Sequence, residues 1–250
     1  MMPAIDLNAD LGESFGAWKM GDDEAILEHV TSANVACGFH AGDPAGILRT
    51  CRIAAKHNVT IGAHPGYRDL AGFGRRFIDY DIAELEAETI YQVGALRALA
   101  AAAGTEVRYI KPHGALYNAL AHHAGQAGAV VRAAVATELP LMVQAGSLAA
   151  RLASEAGVIT IAEGFADREY RADGTLVPRS QAGAVLGRDD AIVQAIRIAT
   201  TGTVVAEGGA EIAVAAESIC LHGDTRGAVE LAGEIRAALA ASGVAVRARG

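Results

Sequence analysis

Six short apolar runs in this chain each end on residues able to do chemistry. The clusters are Asn8-Ala9-Asp10-Leu11-Gly12-Glu13, Cys37 to Asp43 around His40, His64 to Asp69, Lys111-Pro112-His113-Gly114, Glu163 to Arg168, and His222-Gly223-Asp224. Histidines and carboxylates dominate, with Lys111 and Arg168 as the candidate cations beside Arg68. That set suits hydrolysis by an activated water, the cations holding an anionic group of the substrate. The chain has no Gly-x-x-x-x-Gly-Lys-[Ser/Thr] phosphate loop, no Gly-x-Gly-x-x-Gly after a strand and no Gly-x-Ser-x-Gly elbow. Neither Cys-x-x-Cys nor His-Glu-x-x-His occurs. A divalent metal is compatible with Asp10, His40 and His64, but their spacing is not diagnostic.

The positions of these residues separate function from mere structure. Asp6, Asn8 and Asp10 alternate, so on an extended strand they share a side. A polar row in an apolar strand must be paired or used, because an unsatisfied buried carboxylate is costly. His64 precedes Pro65, which forces it into an extended conformation and fixes the imidazole. Lys111 ends the run Val107-Arg108-Tyr109-Ile110, where a solvated face is a poor explanation. Asp43 and Asp224 have sufficient roles as helix caps, whereas His40 and His222 have no evident structural task. Arg168 is suited to a bidentate clamp on a carboxylate or phosphate, or to pairing with Asp167 or Glu163. Asp69, Arg75 and Arg76 read equally well as loop charges, and His122 and His123 as exposed helix residues.

Elements that place the six clusters together must be strands of one sheet. Strands fit about 4–8, 33–37, 59–63, 107–111, 140–144, 158–162 and 218–222, each short, apolar and without clear alternation, as in strands buried on both faces. Helices fit 22–31, 43–57 (capped by Asp43 with Pro44 behind it), 82–103, 119–137, 147–156, 189–201 and 225–242. Residues 164–188 read as a polar loop over the mouth, with Arg168, Arg171 and Arg179. Residues 203–214 read as two short strands joined by a Gly-Gly turn. The strand–helix cycle predicts an α/β fold: one distorted (β/α) barrel over 1–250 with about seven parallel strands, whose C-terminal mouth gathers all six clusters. A doubly wound open sheet is the alternative, but it brings fewer loops to one crevice.

Composition fits that architecture. The chain has 250 residues, 52% hydrophobic and 5% aromatic, so its core is built mainly from small and branched aliphatics. A net charge of −8 with scattered basic residues argues against nucleic acid or an anionic membrane as partner. The three cysteines, Cys37, Cys51 and Cys220, make no disulfide framework and read as small buried fillers, with Cys37 near enough to His40 to note. The N-terminus lacks the features of a signal peptide and no run is long enough to span a membrane, which points to a soluble cytoplasmic protein.

Taken in order, the segments DLNADLGESFG, ANVACGFHAGDP, IGAHPGYRD, IKPHGALYN, EGFADREY and CLHGD resemble the LamB/YcsF family, understood as the A component of the bacterial ATP-dependent 5-oxoprolinase. They cover the chain from residue 5 to about 240, and no core motif departs from the pattern. The resemblance implies a barrel similar to glycoside hydrolase/deacetylase barrels. It implies cleavage of 5-oxo-L-proline (pyroglutamate) to L-glutamate with ATP as co-substrate, and 5-oxoprolinase subunits B and C as partners. On that footing Asp10 and His64 are base or metal-ligand candidates. Lys111 and Arg168 hold a carboxylate or phosphoryl group, and His113 and His222 donate protons to the leaving nitrogen. Asn8, Glu13, His40 and Glu163 bind or orient. These roles rest on residue chemistry and permute among the set. Two rival readings are a stand-alone metal-dependent hydrolase such as a carbohydrate deacetylase, and a non-catalytic subunit that binds a small carboxylate.

Overall fold

A computed structural model describes residues 3–179, 181–221 and 227–249. Its elements in chain order are β1 (Ala4–Leu11), α1 (Asp23–Leu27), β2 (Ser32–Ala36), α2 (Pro44–Lys56), β3 (Thr60–His64), α3 (Ile82–Ala102), β4 (Val107–Ile110), α4 (Gly114–Ala119), α5 (Ala124–Thr137), β5 (Leu141–Gln144), α6 (Leu148–Glu155), β6 (Thr160–Phe165), α7 (Arg188–Thr201), β7 (Thr203–Val205), β8 (Glu211–Ala213), β9 (Ser218–Leu221), α8 (Ala228–Ala241) and β10 (Ala245–Val246). Strands β1 to β6 and β9 pair in parallel, each with the next, and β9 pairs back onto β1 to close a seven-stranded barrel. These are the seven strands read from the sequence. No helix among the described residues is long and apolar enough to cross a membrane.

Local chemistry sets the boundaries. Asp43 accepts from the Gly46 amide at 2.8 Å and Pro44 opens α2, the N-cap arrangement expected there. The stretch 119–137, expected as one helix, is helical only from Ala124 onward as α5, Ala119 being the end of the separate α4; His123 leaves the helical conformation and its Nδ1 accepts from the Gln126 amide as the cap of α5. The 22–31 helix is only the short α1. The Gly-Gly hairpin is the antiparallel pair β7–β8, with Gly208 and Gly209 both at positive φ. The two-residue β10, unforeseen in the sequence, pairs with Ala4 and Ile5 at the start of β1.

The main apolar packing lies between the barrel and its helices, in two large clusters. One centres on residues such as Val35, Ile61, Leu96 and Val130, the other on Ile5, Ile198, Ile219 and Ile235. Inside the barrel the row Asp6, Asn8, Asp10 does point one way. Asp6 accepts from Ser32, Thr31 and Ser218, Asn8 donates to Ser218 Oγ at 2.7 Å, and Asn34 donates to Asn8 at 2.7 Å and to Asp10 at 2.9 Å. Tyr109 fills the remaining width, its hydroxyl donating to Asn34 Oδ1 at 2.7 Å. Its ring lies against the backbone of Gly62, its partner across β3–β4, where a Cβ would overlap the ring. Gly62→Ala should therefore destabilise the protein by about 3 kcal/mol. Urea denaturation checks this, and a change below about 0.5 kcal/mol would show that the Tyr109 ring is not confined as described.

Candidate active site

The strand ends deliver their side chains to one place. His64 closes β3, and Pro65 keeps it extended. Beyond β4 the chain stays extended through Lys111-Pro112-His113, with the Lys111 amide donating to the Ala63 carbonyl and the His113 amide to the Pro65 carbonyl, both at 2.8 Å. Lys111 and His113, two residues apart, thus project to the same side. Asp10 comes from the end of β1 and Glu13 from the turn after it. His40 comes from the loop after β2, where Gly66 and Gly74 leave the space its imidazole fills.

At the floor of the site is a buried cation. Lys111 Nζ donates to Asp10 Oδ1 at 2.6 Å and to Cys220 Sγ at 3.2 Å, and lies 3.4 Å from Glu163 Oε1. Burial alone would lower the basicity of this ammonium, but Asp10, Cys220 and Glu163 raise it well above the usual lysine value. Lys111 is therefore a fixed positive charge and not a nucleophile or base. Glu163 is fully buried beneath it, and its two oxygens lack a well-aligned donor among the described residues.

Beside this pair lies a cluster of three imidazoles and a carboxylate, all buried. Glu13 Oε1 is 3.1 Å from His40 Nε2, 3.4 Å from His113 Nδ1 and 4.0 Å from His64 Nε2. His64 Nδ1 meets the Lys111 carbonyl at 2.6 Å, and His113 Nε2 the Phe73 carbonyl at 2.8 Å. A carbonyl only accepts, so both of those nitrogens carry the proton. The remaining nitrogens, His64 Nε2 and His113 Nδ1, lie only 3.0 Å apart. Two ring nitrogens at that distance need a proton or a metal ion between them. Burial, and then neighbouring imidazoles, lower the basicity of His40 and of His113, which keeps them neutral, the form that binds metal. Tetrahedral ligands about 2.0–2.1 Å from a metal lie about 3.3 Å from one another; the Glu13 contacts to His40 and His113 and the His64–His113 contact are 3.0–3.4 Å, and the Glu13–His64 separation is 4.0 Å. The Glu13, His40, His64 and His113 group is thus able to hold a metal ion, with the carbonyls of Lys111 and Phe73 orienting two of the rings.

Above these groups opens a cavity of about 530 Å³. Asp10, His64, Lys111 and His113 form its floor, and Arg75, Arg168, Arg171 and Arg179 line its outer part. The long loop after β6 supplies three of those arginines. Arg168 donates from Nε and Nη2 to the carbonyls of Ala184 (3.2 Å) and Val177 (2.6 Å), so it braces this loop as well as facing the cavity.

The geometry places the residues singled out in the sequence as follows. Asn8 and Glu163 are fully buried in the barrel interior, next to Asn34 and Lys111 respectively, and do not line the cavity. Glu13 and His40 form the back wall behind His64 and His113. His113 is ill placed as a proton donor, because its one proton is engaged by Phe73. The metal-capable set includes Glu13 and His113, with Asp10 held by Lys111 instead. Cys37 is an inert filler whose thiol burial pushes up to about 12, whereas Cys220 contacts Lys111. Asp69 and Arg76 pair with each other around a tight turn, while Arg75 reaches the cavity. His123 is a cap, not an exposed helix residue. His222 and Asp224 lie outside the described residues. Phe73, at φ 53° and packed edge-on against His40 and His113, was missed because only the tertiary fold brings its loop to the imidazoles.

A parallel barrel that holds a histidine–carboxylate cluster and a charged lysine under a deep cavity has the architecture of a hydrolase-type (β/α) barrel. The chain belongs to the LamB/YcsF family, which it matches over residues 5–249. It is 55% identical over 250 residues to the 5-oxoprolinase A component of Mycobacterium marinum, spanning 99% of each chain. It is 56% identical over 248 residues to that of Streptomyces avermitilis, spanning 98% of this chain and 99% of the relative. The crystal structure of the lactam utilization protein from Thermus thermophilus superposes with a TM-score of 0.93 at 42% identity, covering 98% of this chain and 100% of that one.

The Lys111 ion pair makes a measurable claim. Lys111→Ala leaves Asp10 and Glu163 facing each other without a cation and should cost about 3–5 kcal/mol in urea denaturation. Adding Glu163→Gln should recover part of that loss. Equal stability of the single and double variants would mean that Glu163 does not sense the lysine.

Proposed function

We propose that this chain is the component of an ATP-dependent 5-oxoprolinase that opens 5-oxo-L-proline to L-glutamate, working with subunits B and C in the cytoplasm. The observation that carries the reading is the Asp10–Lys111 pair beside the Glu13, His40, His64 and His113 cluster at the floor of a ligand-sized cavity. The names of relatives sharing more than half of the sequence over its full length support it.

An unstrained lactam is a poor electrophile, since amide resonance stabilises its carbonyl. Transfer of the terminal phosphoryl group of ATP to the amide oxygen removes that resonance and leaves ADP. Water then adds to the ring carbon and loses a proton to a base. The C–N bond breaks, its electron pair going to nitrogen, which takes up a proton. The acyl phosphate so formed releases L-glutamate and inorganic phosphate with a second water.

Within that sequence Asp10 is the base for water. It borders the cavity while its Oδ1 is held by Lys111 and Asn34, so the carboxylate is aimed. Lys111 stabilises negative charge developing on the substrate oxygen. Glu13, His40, His64 and His113 would hold a divalent cation, which when bound supplies Lewis-acid polarisation of water or the amide oxygen. Arg168 stands above the floor, where the substrate's own anionic groups must lie. The cluster also suits a stand-alone metal-dependent hydrolase, and the two readings differ in their need for ATP and partners.

Glutamate release from 5-oxoproline by the chain reconstituted with subunits B and C and ATP provides the test. Asp10→Asn and Glu13→Gln should each lower turnover by about 10²-fold or more with the fold intact by circular dichroism. Full activity in either removes that residue from the mechanism. Elemental analysis should find a divalent ion in the wild-type chain and a reduced content in His113→Ala. Lactam opening by this chain alone, without ATP, would favour the stand-alone hydrolase, and substrate binding without any turnover in the full complex would favour a binding role.

A further inference from the structure

The cavity is larger than a five-membered lactam requires, and its charge is lopsided. Among the described residues Arg75, Lys111, Arg168, Arg171 and Arg179 line it, against a single acidic residue, Asp10, which Lys111 already engages. This concentration of cations occurs in a chain of net charge −8. Arg168 is only 6% exposed, and burial, followed by the proximity of Arg179, pushes its guanidinium down to about 10, so it stays charged near neutrality. Its Nε and Nη2 donate to loop carbonyls, which fixes the fork of a guanidinium that lines the cavity. Arg171 pairs only loosely with Glu207, at 3.6 Å and partly exposed. Arginines crowded this way repel one another, and a multiply charged anion relieves the cost.

We infer that the outer part of the cavity, walled by Arg168, Arg171 and Arg179, is a phosphoryl-binding subsite. Its ligand is a dianionic phosphate group attached to, or released from, the molecule that reacts at the Asp10–Lys111 floor. This deepens the function proposed above and rests on it. The group has two sources: a phosphorylated lactam handed over by a partner chain, or the terminal phosphate of a nucleoside triphosphate bound by this chain. In both, the arginines bind and orient the phosphate, and the floor residues act on the carbon.

Titration calorimetry of the full chain with inorganic phosphate, and separately with ATP, tests the subsite. Phosphate should bind the wild type, and the Arg171→Ala/Arg179→Ala double variant should weaken it about ten-fold or more. Arg171→Lys/Arg179→Lys should recover part of the loss, while Arg49→Ala, outside the cavity, should leave binding unchanged. ATP binding tighter than phosphate, and lost in the same double variant, identifies the nucleotide as the source. Phosphate binding without ATP binding identifies a group handed over by a partner. No phosphate binding by the wild type up to about 20 mM, or unchanged binding by the double alanine variant, overturns the inference. The same preparations are assayed with subunits B and C. Turnover without phosphate binding defeats the subsite alone, and phosphate binding without turnover defeats the 5-oxoprolinase reading alone.

Discussion

A lysine ammonium held inside the barrel is the constraint on which the rest of the structure depends. Barrels of this kind ordinarily fill their interior with layers of branched aliphatic side chains. Here the interior carries Asp6, Asn8, Asn34, Tyr109, Glu163 and Lys111, most of them joined by hydrogen bonds along the barrel axis. Removing such groups from water costs several kcal/mol per ion, and only accurate pairing offsets it. Each member therefore has little freedom to move. Lys111 fixes Asp10, Asn34 holds the same carboxylate oxygen from another direction, and Tyr109 fixes Asn34. The stability that the interior does not supply comes from the apolar layer between strands and helices. The protein thus separates two tasks: the outer shell folds the chain, and the barrel lumen aims charged groups at the mouth.

How much of this is legible in the sequence follows from how local each cause is. Strand identity is legible, because seven short apolar runs separated by helix-length segments leave few arrangements. The inward row Asp6, Asn8, Asp10 is legible from alternation alone, and the aim of His64 and Lys111 from the prolines that follow them. The meeting of Glu13 with His40 and His113 is not, since it depends on loops whose course is set by contacts formed only in the folded protein. Gly66 and Gly74 make room for His40, and the Phe73 carbonyl fixes the His113 tautomer. Nothing in the local pattern marks those residues as parts of a site. The depth at which Asn8 and Glu163 lie is illegible for a related reason. Alternation tells which side of a strand a residue faces, but not how deep along the barrel axis a ligand can reach.

The two ends of the cavity impose opposite demands, and the fold meets them with different materials. The floor must place imidazoles and a carboxylate within a few tenths of an ångström, so it is built on strand ends and proline-locked residues. The outer wall must hold cations near one another, which favours a loop that could relax away from the repulsion. That loop is prevented from relaxing. Arg168 itself ties Val177 and Ala184 to the strand end, and Gln194 of α7 reaches up to the carbonyls of Phe165, Ala166 and Arg168 from the helix behind. Tyr170 adds a third tie, its hydroxyl oxygen accepting from the Phe165 amide at 2.8 Å. The loop that carries the arginines is therefore held in place before any anion arrives, and an incoming ligand does not have to order it. A positive wall prearranged over a floor that carries its own fixed lysine would draw a small anion inward and orient it with its charge outermost. The end of such an anion nearer the floor is then left facing Asp10, whose Oδ1 is held in position by Lys111 and Asn34.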